Sequence, residues 1–230
     1  MEFLNVVNPH FPDATPNSEP RNDFLEILAK YLTDYLEDVN LSSWDDCSPL
    51  FWEEFLFCYF PFQMDINPNI SHTEKFLTEL KKFARWLDRK RHTSFYKFLA
   101  KYIEETRGEL KDCEILINGL YLHKFPNVFS EGWDFEDEFQ KDLQKTAEDM
   151  EVDHIYLKVK EINGPIVVGA CLNTNLSYYI VGLPINLPIP TGTIISGQVT
   201  RKKGEYLWSW KYPENVFPSK AKKYLENVMI

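Results

Sequence analysis

Along the first two-thirds of the chain apolar residues recur at steps of three and four, and after Val152 they alternate. The first pattern is that of amphipathic helices and the second that of half-buried strands. From Asp23, "DFLEILAKYLTDYLEDV" places Phe24, Ile27, Leu28, Tyr31, Leu32, Tyr35, Leu36 and Val39 on one stripe, which predicts a helix starting at Asp23. Ser48 and Pro49 open a second helix as cap and first-turn residue. Its aromatic face is Phe51, Trp52, Phe55, Leu56 and Tyr59, and Pro61 ends it. Ser71 and Glu74 have capping-box spacing ahead of a third helix, with Phe76, Leu77, Leu80, Phe83, Ala84 and Leu87 inward. A fourth, "TSFYKFLAKYIEETRG", buries Phe95, Phe98, Leu99, Tyr102 and Ile103, and Gly108 is its expected stop. "EILINGLYLHKFPNVFS" admits two readings: a hairpin turning at Asn118-Gly119, or a kinked helix. "EGWDFEDEFQKDLQKTAEDM" predicts an acidic helix with Trp133, Phe139 and Leu143 near its buried side.

Beyond Val152, "HIYLKVKEI" and "PIVVGACL" read as two strands joined at Asn163-Gly164, and "LSYYIVGL" as a third. "PINLPIPTG", with three prolines, reads as a crossing or edge segment. "TIISGQVTRKKGEYLWSWKY" predicts a second hairpin with its tip at Lys202 to Gly204. At least five short strands at this spacing suit a small barrel or sandwich. The expected fold class is α+β, a helical bundle followed by a small antiparallel β-barrel-like domain. The expected divisions are an arm over 1–22, helices over 23–150, the barrel-like part over 151–218 and a closing helix over 219–230.

The 230 residues, 44% of them hydrophobic, suffice for one large domain or two small ones. No run of 18 apolar residues exists, so no transmembrane helix and no membrane partner are expected. The N-terminus has no basic start before an apolar stretch, so no signal peptide is expected and a cytoplasmic location follows. Cys47, Cys58, Cys113 and Cys171 lie far apart with no histidine at zinc-ligand spacing, which predicts reduced, partly buried thiols and no metal. None of the sequence signatures of phosphate-binding loops, dinucleotide folds, nucleophile elbows or zinc proteases occurs. His10, His72, His92, His123 and His154 stand singly. A non-enzymatic protein without cofactors is therefore expected, and an unrecognised hydrolase is the third choice.

Charge narrows the remaining choices. Residues 1–150 carry 16 Lys/Arg and 29 Asp/Glu (16 − 29 = −13), and residues 151–230 carry 9 and 6 (9 − 6 = +3), summing to the net −10. Such acidity argues against general DNA coating, because phosphate binding needs compensating cations. Two local groups run against the trend. Residues 75–111 hold 11 Lys/Arg and 5 Asp/Glu (11 − 5 = +6), with Arg85, Arg89, Lys90 and Arg91 crowded at a helix end. Cations there also suit the helix dipole. The second group, Arg201, Lys202 and Lys203, leads into Tyr206, Trp208, Trp210 and Tyr212 at every second position.

Regular alternation puts those four rings on one face of a strand. Stacking of bases on Trp208 and Trp210 beside the cations is one reading. The opposite face offers only Leu207 as a core filler, so a mainly buried stripe, with the edges of one or two rings at the surface, is the other.

"FLTELKKFARWLDRKRHTSFYKFLAKYIEE" and "YLKVKEINGPIVVG…YYIVGLPINLPIPTGTIISGQV" resemble a group of uncharacterised bacterial proteins with a helical part ahead of a small β-domain. The resemblance implies that architecture and a bacterial source, and no activity. "FLTELKKFARWL" is also similar to a helix of the DNA-clamping domain of tyrosine recombinases, which implies a shared packing pattern only. The leading functional expectation is an intracellular binding or adaptor protein that takes single-stranded nucleic acid. Arg85, Arg89, Lys90, Arg91, Arg201, Lys202 and Lys203 would meet phosphates, and Trp208 and Trp210 would stack. A protein-interaction module using an apolar groove of the helices is the alternative.

Overall fold

A computed structural model describes residues 18–35, 43–67, 69, 71–143 and 150–228. Helices come first and a five-stranded mixed sheet follows, so the chain is α+β. Residues 1–17 of the arm expected over 1–22, the first helix's continuation through Leu36 and Val39, the acidic helix's end at 144–149 and residues 229–230 lie outside the described residues, and 19–22 are helical rather than arm. The chain forms two compact units, 1–65 with 69–111, and 66–68 with 112–230. Their division falls near Lys111, well before the change of pattern at Val152.

In the helical unit α1, Glu19–Lys30, begins four residues ahead of Asp23, with Pro20 in its first turn, and continues as a π-turn over Tyr31–Tyr35. A 3-10 turn, Trp44–Asp46, is capped by Ser43. The Ser43 hydroxyl accepts from the Asp45 N–H, and the Asp46 carboxylate accepts from the Ser43 N–H at 2.8 Å. α2, Pro49–Glu54, starts under the Ser48 hydroxyl, which accepts from the Phe51 N–H. It runs on as a π-turn, Phe55–Tyr59, and a last helical turn, Phe60–Phe62, which contains Pro61. α3 is His72–Arg91, and the capping box expected at Ser71 and Glu74 does not form. Ser71 makes no side-chain cap bond, and the Glu74 carboxylate is taken by Lys111 at 2.6 Å and Arg107 at 3.7 Å.

Aromatic burial holds this unit together. Trp44 and Trp52 lie 6.2 Å apart and nearly parallel, and Phe60 stacks on Phe76 at 3.7 Å. Phe24, Phe55 and Phe83 close the same core and are at most 1% exposed. Each such ring removes on the order of 150–250 Å² from water, which is why a chain rich in Phe and Trp packs helices this short. His92 turns the chain in the left-handed region at φ 56°. Asp88 then caps α4, its carboxylate accepting from the Phe95 and Tyr96 N–H groups and the Thr93 hydroxyl.

α4, Phe95–Lys124, passes through Gly108 and through the Asn118-Gly119 pair without turning. Of the two readings of 114–130, helix therefore holds as far as Lys124. The expected stop at Gly108 fails because one helical glycine costs only about 1 kcal/mol, and buried Ile103, Leu110 and Cys113 flank it. Asn118 spends its amide on packing, donating to the Glu114 carbonyl and accepting from the Asn67 N–H. Gly119 leaves room for Leu187, whose Cδ1 lies 2.5 Å from where a Cβ would stand.

The second unit holds α5, Phe135–Leu143, then β1, Met150–Asn163; β2, Ile166–Cys171; β3, Ser177–Val181; β4, Ile194–Lys202; β5, Leu207–Phe217; and α6, Lys222–Val228. The strands pair in the order β1-β2-β3-β5-β4, and β4 returns to β1. The expectation of an antiparallel sheet needs one correction: β3 and β5 run parallel, because β4 separates them in the chain while β5 inserts beside β3. The β4–β5 register shifts twice, which places Lys211 and Glu214 as extra residues on β5. Pro213, which has no N–H to give the ladder, lies between those two bulges.

Three substitutions check this account by urea unfolding. A Cβ at Gly197 would stand 2.2 Å from the Tyr212 carbonyl and 2.7 Å from the Trp210 ring, so Gly197→Ala is expected to cost about 1–3 kcal/mol or more. Nothing lies within 4 Å of a Cβ at Gly108, so Gly108→Ala is expected to stabilise by about 0.5–1 kcal/mol. Asp88→Ala is expected to cost about 1–2 kcal/mol through loss of the cap. Equal midpoints for the two glycine variants would overturn the packing argument.

Candidate nucleic-acid interface

The β4–β5 hairpin turns over Lys203 to Tyr206, with Gly204 at φ 89° and the Glu205 N–H donating to the Lys202 carbonyl. Lys202 and Lys203 are exposed and make no ion pair among the described residues. Tyr206, 87% exposed, lies just ahead of the strand. This tip joins two free cations and one free ring on a short, backbone-bonded turn.

Arg201 is committed elsewhere. Its Nε donates to the Glu151 carboxylate at 2.6 Å, and a terminal N–H donates to the Glu205 carbonyl at 3.1 Å. Its guanidinium lies 4.3 Å above the Trp208 ring. Tyr178 also packs against Trp208, with ring centroids 5.3 Å apart. The Tyr178 hydroxyl donates to the Asp153 carboxylate at 2.6 Å. Burial, then that bond, pushes the Tyr178 phenol well above its ordinary range. Register makes the cluster: Glu151 sits opposite Arg201 on β1 and β4, and Ile180 opposite Trp208 on β3 and β5.

Trp208 and Trp210 are 8% and 9% exposed. They point inward with Ile180 and Val199, their register partners. The bulge at Lys211 then rotates the strand, so Tyr212 pairs with outward-facing Gln198. Tyr212 is covered there by Lys124, 4.4 Å above its ring, and by Phe125 and Phe139. The four rings expected on one face are thus divided three ways: Tyr206 free, the two tryptophans inward, Tyr212 outward and covered. A base has no open ring on Trp208 or Trp210 in this arrangement.

Another ring is open instead. Tyr179 on β3 is 47% exposed and lies opposite Leu207 on β5, itself 44% exposed. Val168 of β2 continues that outer row. Reading the sequence missed Tyr179, although Tyr178-Tyr179 carried the signal: alternation must send one of two adjacent strand tyrosines outward.

Arg85, Arg89, Lys90 and Arg91 belong to the helical unit, at the C-terminal end of α3. Arg85 stacks 4.4 Å over the Tyr96 ring and donates to its hydroxyl. Arg89 donates to the Arg85 carbonyl at 3.4 Å, as helix-end cations do. Much of the remaining basic stretch meets carboxylates within the same unit: Lys81 with Glu104 at 2.5 Å, Lys82 with Glu79 at 2.6 Å, and Lys111 with Glu74. Among the described residues of this unit Leu50 alone is an exposed large apolar side chain.

Other chemistry is sparse. His154 Nδ1 lies 2.9 Å from the Glu214 carboxylate and its Nε2 3.2 Å from the Gln198 amide nitrogen, and the ring is largely exposed. His123 is exposed in the last turn of α4. A polar cleft of about 190 Å³ in the helical unit is lined by Asp23, Glu26, Lys30, Gln63, Asp65 and His72. Burial and then Glu19 raise the Asp23 carboxyl there. No group of three or more residues able to hold a metal occurs among the described residues. All four cysteines are free and buried, and burial pushes the Cys47 thiol up to about 12. No described helix is long and apolar enough to cross a membrane.

No protein-family model, no curated protein and no solved structure matches the chain.

Proposed function

We propose that the protein is a non-enzymatic binding protein whose strand domain takes single-stranded nucleic acid at the β4–β5 hairpin. One observation carries the reading: the tip presents Lys202, Lys203 and Tyr206 together, all exposed and none engaged by an ion pair among the described residues. Phosphates meet the lysines, and bases stack on Tyr206 and on Tyr179 beside Leu207. Arg85, Arg89, Lys90 and Arg91 form a second set of phosphate contacts on the helical unit. Stacking on an exposed ring contributes roughly 1–3 kcal/mol per base and is tolerant of sequence. This reading moves the stacking role from the two inward tryptophans to the two outward tyrosines.

Strand order supports it. The strand order β1-β2-β3-β5-β4, with β4 paired back to β1, resembles that of the small Greek-key barrel of the OB type. Such barrels bind oligonucleotides and oligosaccharides with the face of strands 2 and 3 and the neighbouring loops. Likeness of layout does not assign a ligand. The cations on the β4–β5 loop favour a polyanion over a neutral sugar.

The test is fluorescence anisotropy of labelled 12-nucleotide DNA and RNA single strands against the full chain, over a salt series. Saturable binding that weakens with salt is expected. Each of Tyr206→Ala and Tyr179→Ala should weaken it roughly 5- to 150-fold without lowering the melting temperature. Each of Lys202→Gln and Lys203→Gln should flatten the slope of log affinity against log salt by about 0.7. Absence of saturable binding to either strand would end the proposal.

A further inference from the structure

Among the described residues, Arg201 is the one cation of the hairpin tip with an ion pair. Its partner is placed by the β-ladder itself, since Glu151 and Arg201 stand opposite each other on β1 and β4. The pair is half-buried, with side chains 38% and 30% exposed. An ion pair that water reaches contributes only about 0.2–1 kcal/mol, so another anion can replace the carboxylate. A guanidinium binds carboxylate and phosphate with the same planar fork. Lys202 and Lys203 adjoin this pair and lack ion pairs among the described residues, so they draw an incoming polyanion to the place where Glu151 sits. The guanidinium does a second thing at that spot, because it roofs the Trp208 ring from 4.3 Å.

These observations join into one device, and it rests on the nucleic-acid reading above. We propose that Glu151 is a built-in competitor for nucleic-acid phosphate at Arg201, and that its displacement uncovers Trp208 as a further stacking ring. In the free protein the carboxylate holds Arg201 down as a cover. A backbone phosphate seated between the lysines takes the guanidinium, the Glu151 pair opens, and a base takes the position over the indole. Tyr178 packs against the ring and is itself held by Asp153, so Trp208 keeps a neighbour when the cover leaves. Glu151 acts through Arg201 and is a positioning residue. Its effect is to make binding at the hairpin weaker and more dependent on multiple phosphates than the cations alone would give.

The experiment uses the full chain and the same labelled 12-nucleotide single strands. Glu151→Gln is expected to bind about two- to five-fold more tightly at low salt, the range a pair that water reaches can contribute. Glu205→Gln is the matched control, since it removes one negative charge from the same tip without touching a carboxylate that holds Arg201. An equal gain from both variants would mean that only the local field changed, and would overturn the proposal. In an Arg201→Gln background the Glu151→Gln gain should vanish, and a gain that persists there overturns it too. Quenching of tryptophan emission on binding should be lost in Trp208→Phe, and unchanged quenching would overturn the uncovering step. If Glu151→Gln lowers the melting temperature, Glu151→Asp, with a shorter reach, is expected to show a smaller gain in the same direction. No binding by wild type or by any variant defeats the nucleic-acid reading itself, whereas wild-type binding with no gain in Glu151→Gln defeats this inference alone.

Discussion

The strand domain is built around a missing methyl group at Gly197. The Trp210 ring and the Tyr212 carbonyl occupy the space that any other side chain at this position would need. A large indole can therefore come close to the β4 backbone inside a ring of only five strands. Small closed sheets have little interior, and large and small residues must face each other to fill it without strain. The close approach of the Trp210 ring to Gly197 is that compromise carried to its limit. The bulges at Lys211 and Glu214 belong to the same compromise, since they let β5 bend past the glycine while Pro213 leaves no orphaned donor.

From that constraint follows the sorting of the aromatic rings, and from the sorting the surface. Before the first bulge, Trp208 and Trp210 face inward and complete the core. After it, Tyr212 faces outward and becomes an anchor for Phe125 and Phe139, so the helical segments of this unit gain a docking ring. Only Tyr206, ahead of the strand, is released to solvent. Where regular alternation would give one uniform face, the start of the strand after Tyr206 and the extra residue Lys211 yield three environments. Chemistry at the hairpin is thus a by-product of how the core was filled: rings used for packing are withdrawn from the surface, and the tip keeps its cations and one tyrosine.

Much of this architecture was legible in the residues. Helical stripes such as Phe76, Leu77, Leu80, Phe83, Ala84 and Leu87 leave few alternatives, and α3 follows them closely. Asn163-Gly164 and Lys203-Gly204 marked their turns because each needs a glycine at positive φ. Asn118-Gly119 misleads for a physical reason, as the same dipeptide can serve close packing inside a helix when a side chain such as Leu187 needs the space. Ser71 and Glu74 mislead because a capping box competes with any cation in reach, and Lys111 and Arg107 arrive from α4. The candidate site was legible in its charges but not in its rings. Positive side chains at a turn stay outside whatever the fold does, whereas the side a strand aromatic takes depends on bulges that no local pattern announces.

Net charge sets the terms on which such a site can work. The chain as a whole carries −10, and a polyanion approaching from a distance meets repulsion. Charges more than about 8–10 Å from the tip are largely screened at ordinary ionic strength, so the neighbouring charges dominate there. A basic tip on an acidic protein therefore selects for short-range engagement: a flexible single strand can wrap its phosphates around Lys202 and Lys203, while a stiff duplex must bring many phosphates toward acidic surface at once. The same reasoning explains why a carboxylate beside Arg201 matters. Where the global field already opposes binding, a local competitor worth a few tenths of a kcal/mol to about 1 kcal/mol shifts the balance between engaged and free states. On the proposed reading, affinity at this hairpin would be governed by exchange of one anion for another rather than by attraction to an open positive surface.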